Sequence, residues 1–467
     1  MGAVAYSGGV SKGVDVITGA TSLDGLLKDF YGPRIAEQLN NSNFALDRLE
    51  KRKDMKWSGR EVKFPIHTQR NSGVGFRSES GSLPDAGGQN YEQASISDVL
   101  FYGTIQLTGL AMDSVLSDRG GFRRALDSEM RGLVNDAKDH FGSKIFGFGQ
   151  AGASVLDSGK FNGLLGRCDD AAVTGAGSAG NPWVCEDMIE PLGYASTMAP
   201  VPTVSNNFGQ TRYFKAGQKV VWGKLADLTT GGDGYGTIQS VVDGATIKVL
   251  EGGGNAPAKD DYFVMGSSTT LGNYEFENGL NGLGCILSQY QAEGSQAFQG
   301  ITCTTGADYT WQSYTLDVNG AFDDMKIHET IHNIEEVGAG RPSVLISHYT
   351  LLKEYADDLI GNVQFTSSPN FSGGYQTLKF SSDREYDWVV DKYCPYGAMF
   401  ILSESDLFWA VRRDFGWDDR GGAILKSLAV TGNDSVRAFY KAYMQLGWES
   451  LNAHGALTRI TISGNPS

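Results

Sequence analysis

The sequence predicts an α+β fold, and three observations carry that prediction. A long two-stranded excursion at residues 54–108 leads into one long amphipathic helix. A cluster of short β runs with its own turn signals lies at 213–268. Helices and strands then alternate toward the C-terminus, with no repeat of ~20–50 residues that would indicate a solenoid.

Taken in order, residues 1–20 are Gly- and Ser-rich and read as extended. Residues 22–53 read as helical, with Leu23, Leu26, Leu27, Phe30, Ile35, Leu39, Phe44, Leu46 and Leu49 apolar and a break near Gly32-Pro33. The outgoing strand places Val62, Phe64 and Ile66 on one face, with Lys63 and His67 between them. The return runs from Tyr91 through Ile96 and Val99 to Ile105 and Leu107. Between them Asn71–Asn90 carries Gly73, Gly75, Gly81, Pro84, Gly87 and Gly88 and few apolar residues. A loop this long is uncommon inside a domain and usually serves function or contact. Its own strands cannot bury it, so a partner surface must.

After Asp118, a predicted N-cap, Phe122, Ala125, Leu126, Met130, Leu133, Val134, Ala137, Phe141 and Ile145 form one helical stripe. Arg123, Arg124, Asp127, Glu129, Arg131, Asp136, Lys138 and Asp139 fall on the opposite face. At ~1.5 Å per residue this helix spans about 40 Å. Further on, 213–268 contains runs at 219–222, 237–242, 246–250 and 262–265, with Asp243-Gly244 as a hairpin turn. Phe322–Val337 reads as a helix on Met325, Ile327, Ile331, Ile334 and Val337. A buried strand follows at 343–347, then a helix at 349–359. Trp388–Phe400 reads as strand–turn–strand, and 408–411, 436–446 and 457–462 as strands returning to the core.

Composition bounds the function. A chain of 467 residues with 40% hydrophobic content suggests two to three domains. No run of about 18 apolar residues is present, and residues 1–10 lack the basic start and apolar stretch of a signal peptide, so cytosolic synthesis and no membrane partner are expected. Five scattered cysteines (Cys168, Cys185, Cys285, Cys303, Cys394) never form C-x-x-C. That opposes a disulfide framework or thiolate zinc site and favours buried free thiols, although Cys285 and Cys303 could meet across a fold. A net charge of −15 is the wrong sign for a nucleic-acid reader and fits simple solubility.

The order of parts resembles the major capsid proteins of tailed bacteriophages, the Hong Kong 97 type of fold. The residues that carry the resemblance are Leu46–Arg52 ending the arm, Trp57-Ser58-Gly59 opening the hairpin, the loop Glu79–Pro84, the strand Tyr102–Gly109 and the helix start Arg119–Phe122. The resemblance implies an N-terminal arm (1–53), an extended E-loop hairpin (54–108), a peripheral domain with a spine helix (109–150), and an axial domain (151–400). Interrupting the axial domain is a small inserted β domain (213–268), and C-terminal strands (401–467) return to both domains. It implies a structural subunit, not an enzyme, that self-assembles as hexamers and pentamers into an icosahedral head. Its partners would be itself, a portal, a scaffold and a decoration or cement protein, with packaged DNA held only non-specifically and no cofactor. It implies a place in the virion after synthesis in the host bacterial cytoplasm. The family often carries a charged scaffolding segment before the arm, and none stands here. Expected intersubunit contacts are Trp57, Asn71, Gly73, Phe76, Arg77, Glu79, Leu83, Pro84 and Tyr91. Some relatives crosslink a hairpin lysine to a neighbour's asparagine. Here Lys56 and Lys63 lie on the strands and the tip has no lysine, so non-covalent locking is expected.

One sharp motif opposes this reading. His328-Glu329-Thr330-Ile331-His332 is a literal H-E-x-x-H, which on a helix sets two imidazoles on one face for zinc, with Glu329 as general base. Glu354 stands where some metallopeptidases supply a third ligand, so a zinc metallopeptidase is the alternative function. Against it, Ile327, Ile331 and Ile334 supply the buried stripe, which leaves the histidines off it, and Glu335 occupies the place of the glycine in an extended zinc motif. The Gly147–Gly152 stretch follows a helix and is no dinucleotide loop. Asp323-Asp324 and Asp357-Asp358 read as helix-end carboxylates.

Overall fold

A computed structural model describes Ala45, Arg48 and Leu49 and most of the chain from 54 to 461. It leaves out 1–44, 46–47, 50–53, 109–118, 148–163, 190–210, 267–274, 287–296, 303–310, 363–378, 382–384, 421–423, 428–433, 462–467 and a few single positions. The arm's helical reading, the Asp118 cap, Cys303 and most of Gly147–Gly152 lie outside the described residues. Every described residue belongs to one compact unit within residues 41–467.

Three sheets organise that unit. The first has five strands. Leu407–Trp417 pairs antiparallel with Ser435–Trp448, which pairs in turn with Val99–Thr108 over ten residues and with Lys426–Ser427. Asp54–Lys56 joins Leu407–Trp417 in parallel. The long helix, Arg119–Lys144, lies on one face. Phe141 meets Phe101, Trp409 and Phe415 at ring distances of 5.1–6.0 Å. A side chain at Gly103 would press on Leu133 at 3.2 Å, so glycine there lets the helix settle on the sheet.

The second sheet has six strands in the order Tyr314–Ala321, Gly455–Thr461, Met399–Leu402, Val344–Ser347, Glu385–Val390, Lys379–Ser381. Both of its faces are covered, and period-two alternation divides the residues between them. Leu345, Met399 and Ile401 face Ile327, Ile331 and Ile334 of the helix Asp324–Val337 and Leu351 and Tyr355 of the helix Tyr349–Asn362. Val344, Ile346, Phe400 and Leu402 belong to the main core with Phe146. Continuous apolar runs such as Val344–Ser347 are what such two-sided burial demands. The strand–turn–strand expected at 388–400 forms as Glu385–Val390 and Met399–Leu402, and its two strands flank Val344–Ser347, one parallel and one antiparallel.

The third sheet has seven strands, ordered Trp183–Cys185, Ile247–Gly254, Gly234–Val241, Lys219–Gly223, Tyr262–Met265, Leu164–Cys168, Met188–Ile189. The Asp243 carboxylate accepts from the amides of Ala245 and Thr246, both 2.8 Å, and closes the expected turn. The sheet also recruits Leu164–Ile189, ahead of the residue 213 boundary that composition suggests. Those strands are two to five residues long and flanked by Gly, Asn and Pro, so no alternation announces them.

One expectation on the long helix is corrected. Asp139, read as part of its charged face, is buried: Lys392 donates to it at 2.7 Å and the Tyr393 hydroxyl at 2.7 Å, and Lys215 also donates. Burial alone would raise its pKa, but these three donors outweigh it and hold the carboxyl below its ordinary range. The side chain therefore ties the long helix to the loop after Glu385–Val390 and to the turn before Lys219–Gly223.

Candidate interface hairpin

The outgoing strand Val62–Gln69 pairs with Asn90–Ile96 and with nothing else among the described residues. Its burial alternates as the sequence pattern expects. Support is confined to the base. Val62 and Ile96 pack with Phe408 and Ala410, and Phe64 meets Phe408 edge-on at 5.7 Å. Arg412 closes the base: it donates to Asp98 at 2.9 Å and to the Gly59 carbonyl, and its guanidinium lies 5.0 Å over the Trp57 ring. The Ser95 amide donates to the Gln299 carbonyl at 2.7 Å on the other side. At Ser97-Asp98 the return leg leaves the hairpin, and Val99–Thr108 joins the five-stranded sheet instead of continuing beside the outgoing strand.

Beyond Gln69 the tip holds itself by local bonds. The Asn71 side chain accepts from the Gly73 amide at 2.7 Å, and Ser78 accepts from the Gly81 amide at 3.0 Å. Arg77 donates to the Ser82 and Phe76 carbonyls, both 3.0 Å. The two legs touch at Gly73 and Gly87. A Cβ on Gly87 would lie 2.4 Å from Asn71 Oδ1 and one on Gly73 2.8 Å from the Asp85 carbonyl, so the crossing requires glycine. Phe76 is fully exposed, Leu83 85% and Val74 83% exposed, and Tyr91 more than half exposed. Apolar side chains this open on one loop mark a surface waiting for cover.

Of the expected contact residues, the structure places Asn71, Gly73, Phe76, Arg77, Glu79, Leu83 and Pro84 on the tip and Tyr91 at the start of the return strand. Tyr91 donates to Gln89 at 2.6 Å. Trp57 sits apart, at the base under Arg412. Val74, Leu100 and Tyr102 are further exposed apolar side chains that the sequence reading did not single out, although Leu100 and Tyr102 have the opposite parity to Phe101, Ile105 and Leu107. That reading also missed Arg412, whose role depends on a sequence separation of more than 300 residues. A groove of about 890 Å³ runs along the return leg, lined by Ser95, Leu100, Tyr102, His140, Lys144 and Glu275. There His140 meets Glu275 at 2.7 Å and Lys144 at 3.5 Å. Burial raises the Glu275 pKa, yet His140 and Lys144 beside it prevail and bring it down to about 2.

The H-E-x-x-H helix forms as expected, with Asp323 as its N-cap accepting from the Met325 amide at 3.0 Å. Ile327, Ile331 and Ile334 are buried, His332 is exposed and His328 half-buried. The two imidazoles lie 6.3 Å apart, and Glu329 pairs with Lys326 at 2.7 Å. Among the described residues no three His, Cys, Asp or Glu side chains are grouped to hold a metal, so Glu354 does not complete a set with His328 and His332. Nothing among the described residues supports the zinc alternative, and the buried isoleucine stripe leaves His332 and Glu329 on the exposed side of the helix. Cys168, Cys185, Cys285 and Cys394 are buried free thiols. Among the described residues no helix is long and apolar enough to cross a membrane.

No protein-family model and no curated protein matches the chain by sequence. Solved structures do. A chain of the cyanophage A-1(L) capsid asymmetric unit superposes with a TM-score of 0.52 at 11% identity, covering 94% of this chain and 98% of its own. The capsid of a native GTA particle (TM-score 0.43, 9% identity, 93% and 96% covered) and a structure from Mycobacterium phage Bobi (0.42, 10%, 93% and 96%) resemble it more loosely. The cyanophage match, over nearly the whole length of both chains, shows that this chain has a phage capsid fold.

Proposed function

We propose that the protein is the repeated structural subunit of an icosahedral phage head, assembling as hexamers and pentamers around double-stranded DNA. The observation that carries this reading is the hairpin: a 62–96 excursion whose tip exposes Phe76, Leu83 and Val74 and is supported only at its base. A monomer gains nothing from displaying such a loop, whereas a contact between unlike surfaces of successive copies buries it and closes rings. In this reading 1–53 is the arm, 54–108 the E-loop, 109–150 the peripheral domain with the spine helix, 151–400 the axial domain, and 401–467 the returning strands. The β domain inserted at 213–268 extends to the strands from Leu164. A portal, a scaffold and a decoration or cement protein are the partners such a head requires, and DNA contacts are non-specific, in keeping with a net charge of −15. The tip has no lysine, so locking is non-covalent. Negative-stain micrographs of the purified full-length chain test the reading: closed shells or capsomer rings support it, and a monomer at every concentration and salt condition contradicts it.

A further inference from the structure

The two edges of the seven-stranded sheet lie at neighbouring points of the chain. Trp183–Cys185 is one edge strand and Met188–Ile189 the other, and only Glu186 and Asp187 stand between them. Asp187 turns the chain with a φ of 53°, in the left-handed region that tight reversals use. Single hydrogen bonds hold this seam. The Asp169 amide donates to the Asp187 carbonyl at 3.2 Å, and the Glu186 amide to the Asp170 carboxylate at 3.2 Å.

Cys168 and Cys185 meet across the seam. Cys168 ends the strand Leu164–Cys168, where Met188 is its partner, and Cys185 ends the opposite edge strand. Both are buried in the main core, and their thiols share a hydrogen bond. Glu186 and Asp187 are exposed and Asp169 is half-buried, so the sulfurs lie close beneath solvent. Cys394, by contrast, directs its thiol to the carbonyls of Ile346 and Ala398, both 3.9 Å away. The hydrogen bond from Cys185 holds the Cys168 thiol below its ordinary pKa, aided by the Asp170 amide and opposed by burial. The same contact, with burial, pushes the Cys185 thiol up. Cys168 is therefore the member that readily becomes a thiolate, the form that reacts with oxidants.

We propose that Cys168 and Cys185 form a redox-responsive pair, which a peroxide-class oxidant converts to a disulfide that locks the seam of the sheet. The Cys168 thiolate attacks one oxygen of hydrogen peroxide and the O–O bond breaks. Cys168 becomes a sulfenic acid, and the hydroxide released takes up the proton that the thiol lost. The Cys185 sulfur then attacks Cys168 Sγ, the S–O bond breaks, and the hydroxyl leaves as water with the Cys185 proton. Two thiols and one peroxide thus give one disulfide and two waters, with two electrons passing from sulfur to oxygen. The sulfurs must close to ~2.05 Å. Strands of five and three residues at the sheet's margins can make that small approach. The bond ties Leu164–Cys168 to Trp183–Cys185 and is independent of the shell reading.

Peptide mapping of the folded full-length chain tests it. The reduced protein is treated with hydrogen peroxide, its remaining thiols are blocked in acid, and it is digested without reduction for mass spectrometry. The expected product is a Cys168–Cys185 linked peptide pair, two hydrogens lighter than the separate peptides and released by dithiothreitol. It should exceed any product oxidised at Cys394 at least ~10-fold. Oxidation of Met325, which is 65% exposed, to its sulfoxide shows that the peroxide dose is sufficient. Both thiols intact at that dose would overturn the proposal. So would Cys168 found as sulfinic or sulfonic acid beside an unmodified Cys185, or either cysteine linked mainly to another. Cys168→Ala should abolish the linked pair. The map of the unmutated chain decides even if that variant does not fold.

Discussion

The hairpin 62–96 and the seven-stranded sheet are both β excursions from the same body, and they are stabilised in opposite ways. The sheet is buried on both sides: Trp222, Phe263, Ile238, Ile247 and Val249 belong to the main core on one side, with Trp183 and Trp222 edge-on at 5.6 Å, while Val221, Val264 and Leu228 form a second cluster on the other. The hairpin buries little beyond Val62, Ala94 and Ile96 at its base and sends its largest apolar side chains into solvent. The difference separates residues that make the subunit fold from residues that make copies meet. A core substitution should act on folding, and a tip substitution on assembly alone.

The largest stability effect is expected inside the sheet. Trp222→Ala removes a fully buried indole whose Nε1 donates to the Asn255 carbonyl at 3.0 Å, and should cost ~3–5 kcal/mol in denaturant unfolding. A cost below ~1 kcal/mol would mean that the sheet lacks the core assigned to it. Next comes the buried pin. Asp139→Ala removes the buried carboxylate to which Lys392 and the Tyr393 hydroxyl donate and should cost about 3 kcal/mol at neutral pH. Its pH dependence follows from the sign of the shift. The folded pKa lies below the unfolded one, so the stabilisation is complete above about pH 4–5 and is lost as pH falls through the folded value. The gap between wild type and Asp139→Ala in urea melts should therefore be constant from about pH 7 to 5 and narrow below about pH 4. A gap that widens in acid would refute the assignment.

On the exposed side, Phe76→Ala should change unfolding free energy by less than ~0.5 kcal/mol, since the ring touches no core, and should lower shell yield sharply. An unfolding cost above ~1 kcal/mol would place the tip in the fold instead. The smallest effect is expected at the outward-facing motif helix. Glu329→Gln should shift stability by less than ~0.5 kcal/mol, and elemental analysis should find no stoichiometric zinc. One zinc per chain, with a peptidase activity that Glu329→Gln abolishes, would return the enzyme reading.

The same contrast explains what the sequence made legible. Segments whose burial is one-sided and local announced themselves: Val62–Gln69 by alternation, Asp324–Val337 by three isoleucines at helical spacing and an aspartate cap, and the tip by its glycines and lack of apolar anchors. What stayed hidden depends on long-range pairing. Asp139 sits at a polar position of the helix stripe, and only Lys215, Lys392 and Tyr393, brought from elsewhere in the chain, bury it. The strands Trp183–Cys185 and Met188–Ile189 are too short to show a period and exist because Ile247–Gly254 and Leu164–Cys168 offer them edges. Trp57 opens the hairpin as expected, but that its ring lies under Arg412 depends on a residue more than 300 positions away.

The most direct test of the central claim, that the tip serves assembly and not folding, is deletion of Ser72–Gly88 with both properties measured on one sample. Melting by circular dichroism and sedimentation velocity of the deletion and wild type would be compared. The expected result is a thermal transition within about 1 °C of wild type, a shift that corresponds to about 1 kcal/mol for a chain of 467 residues, together with loss of shells. Shells of wild-type yield and stability from the deleted chain, or a chain that no longer folds, would contradict it.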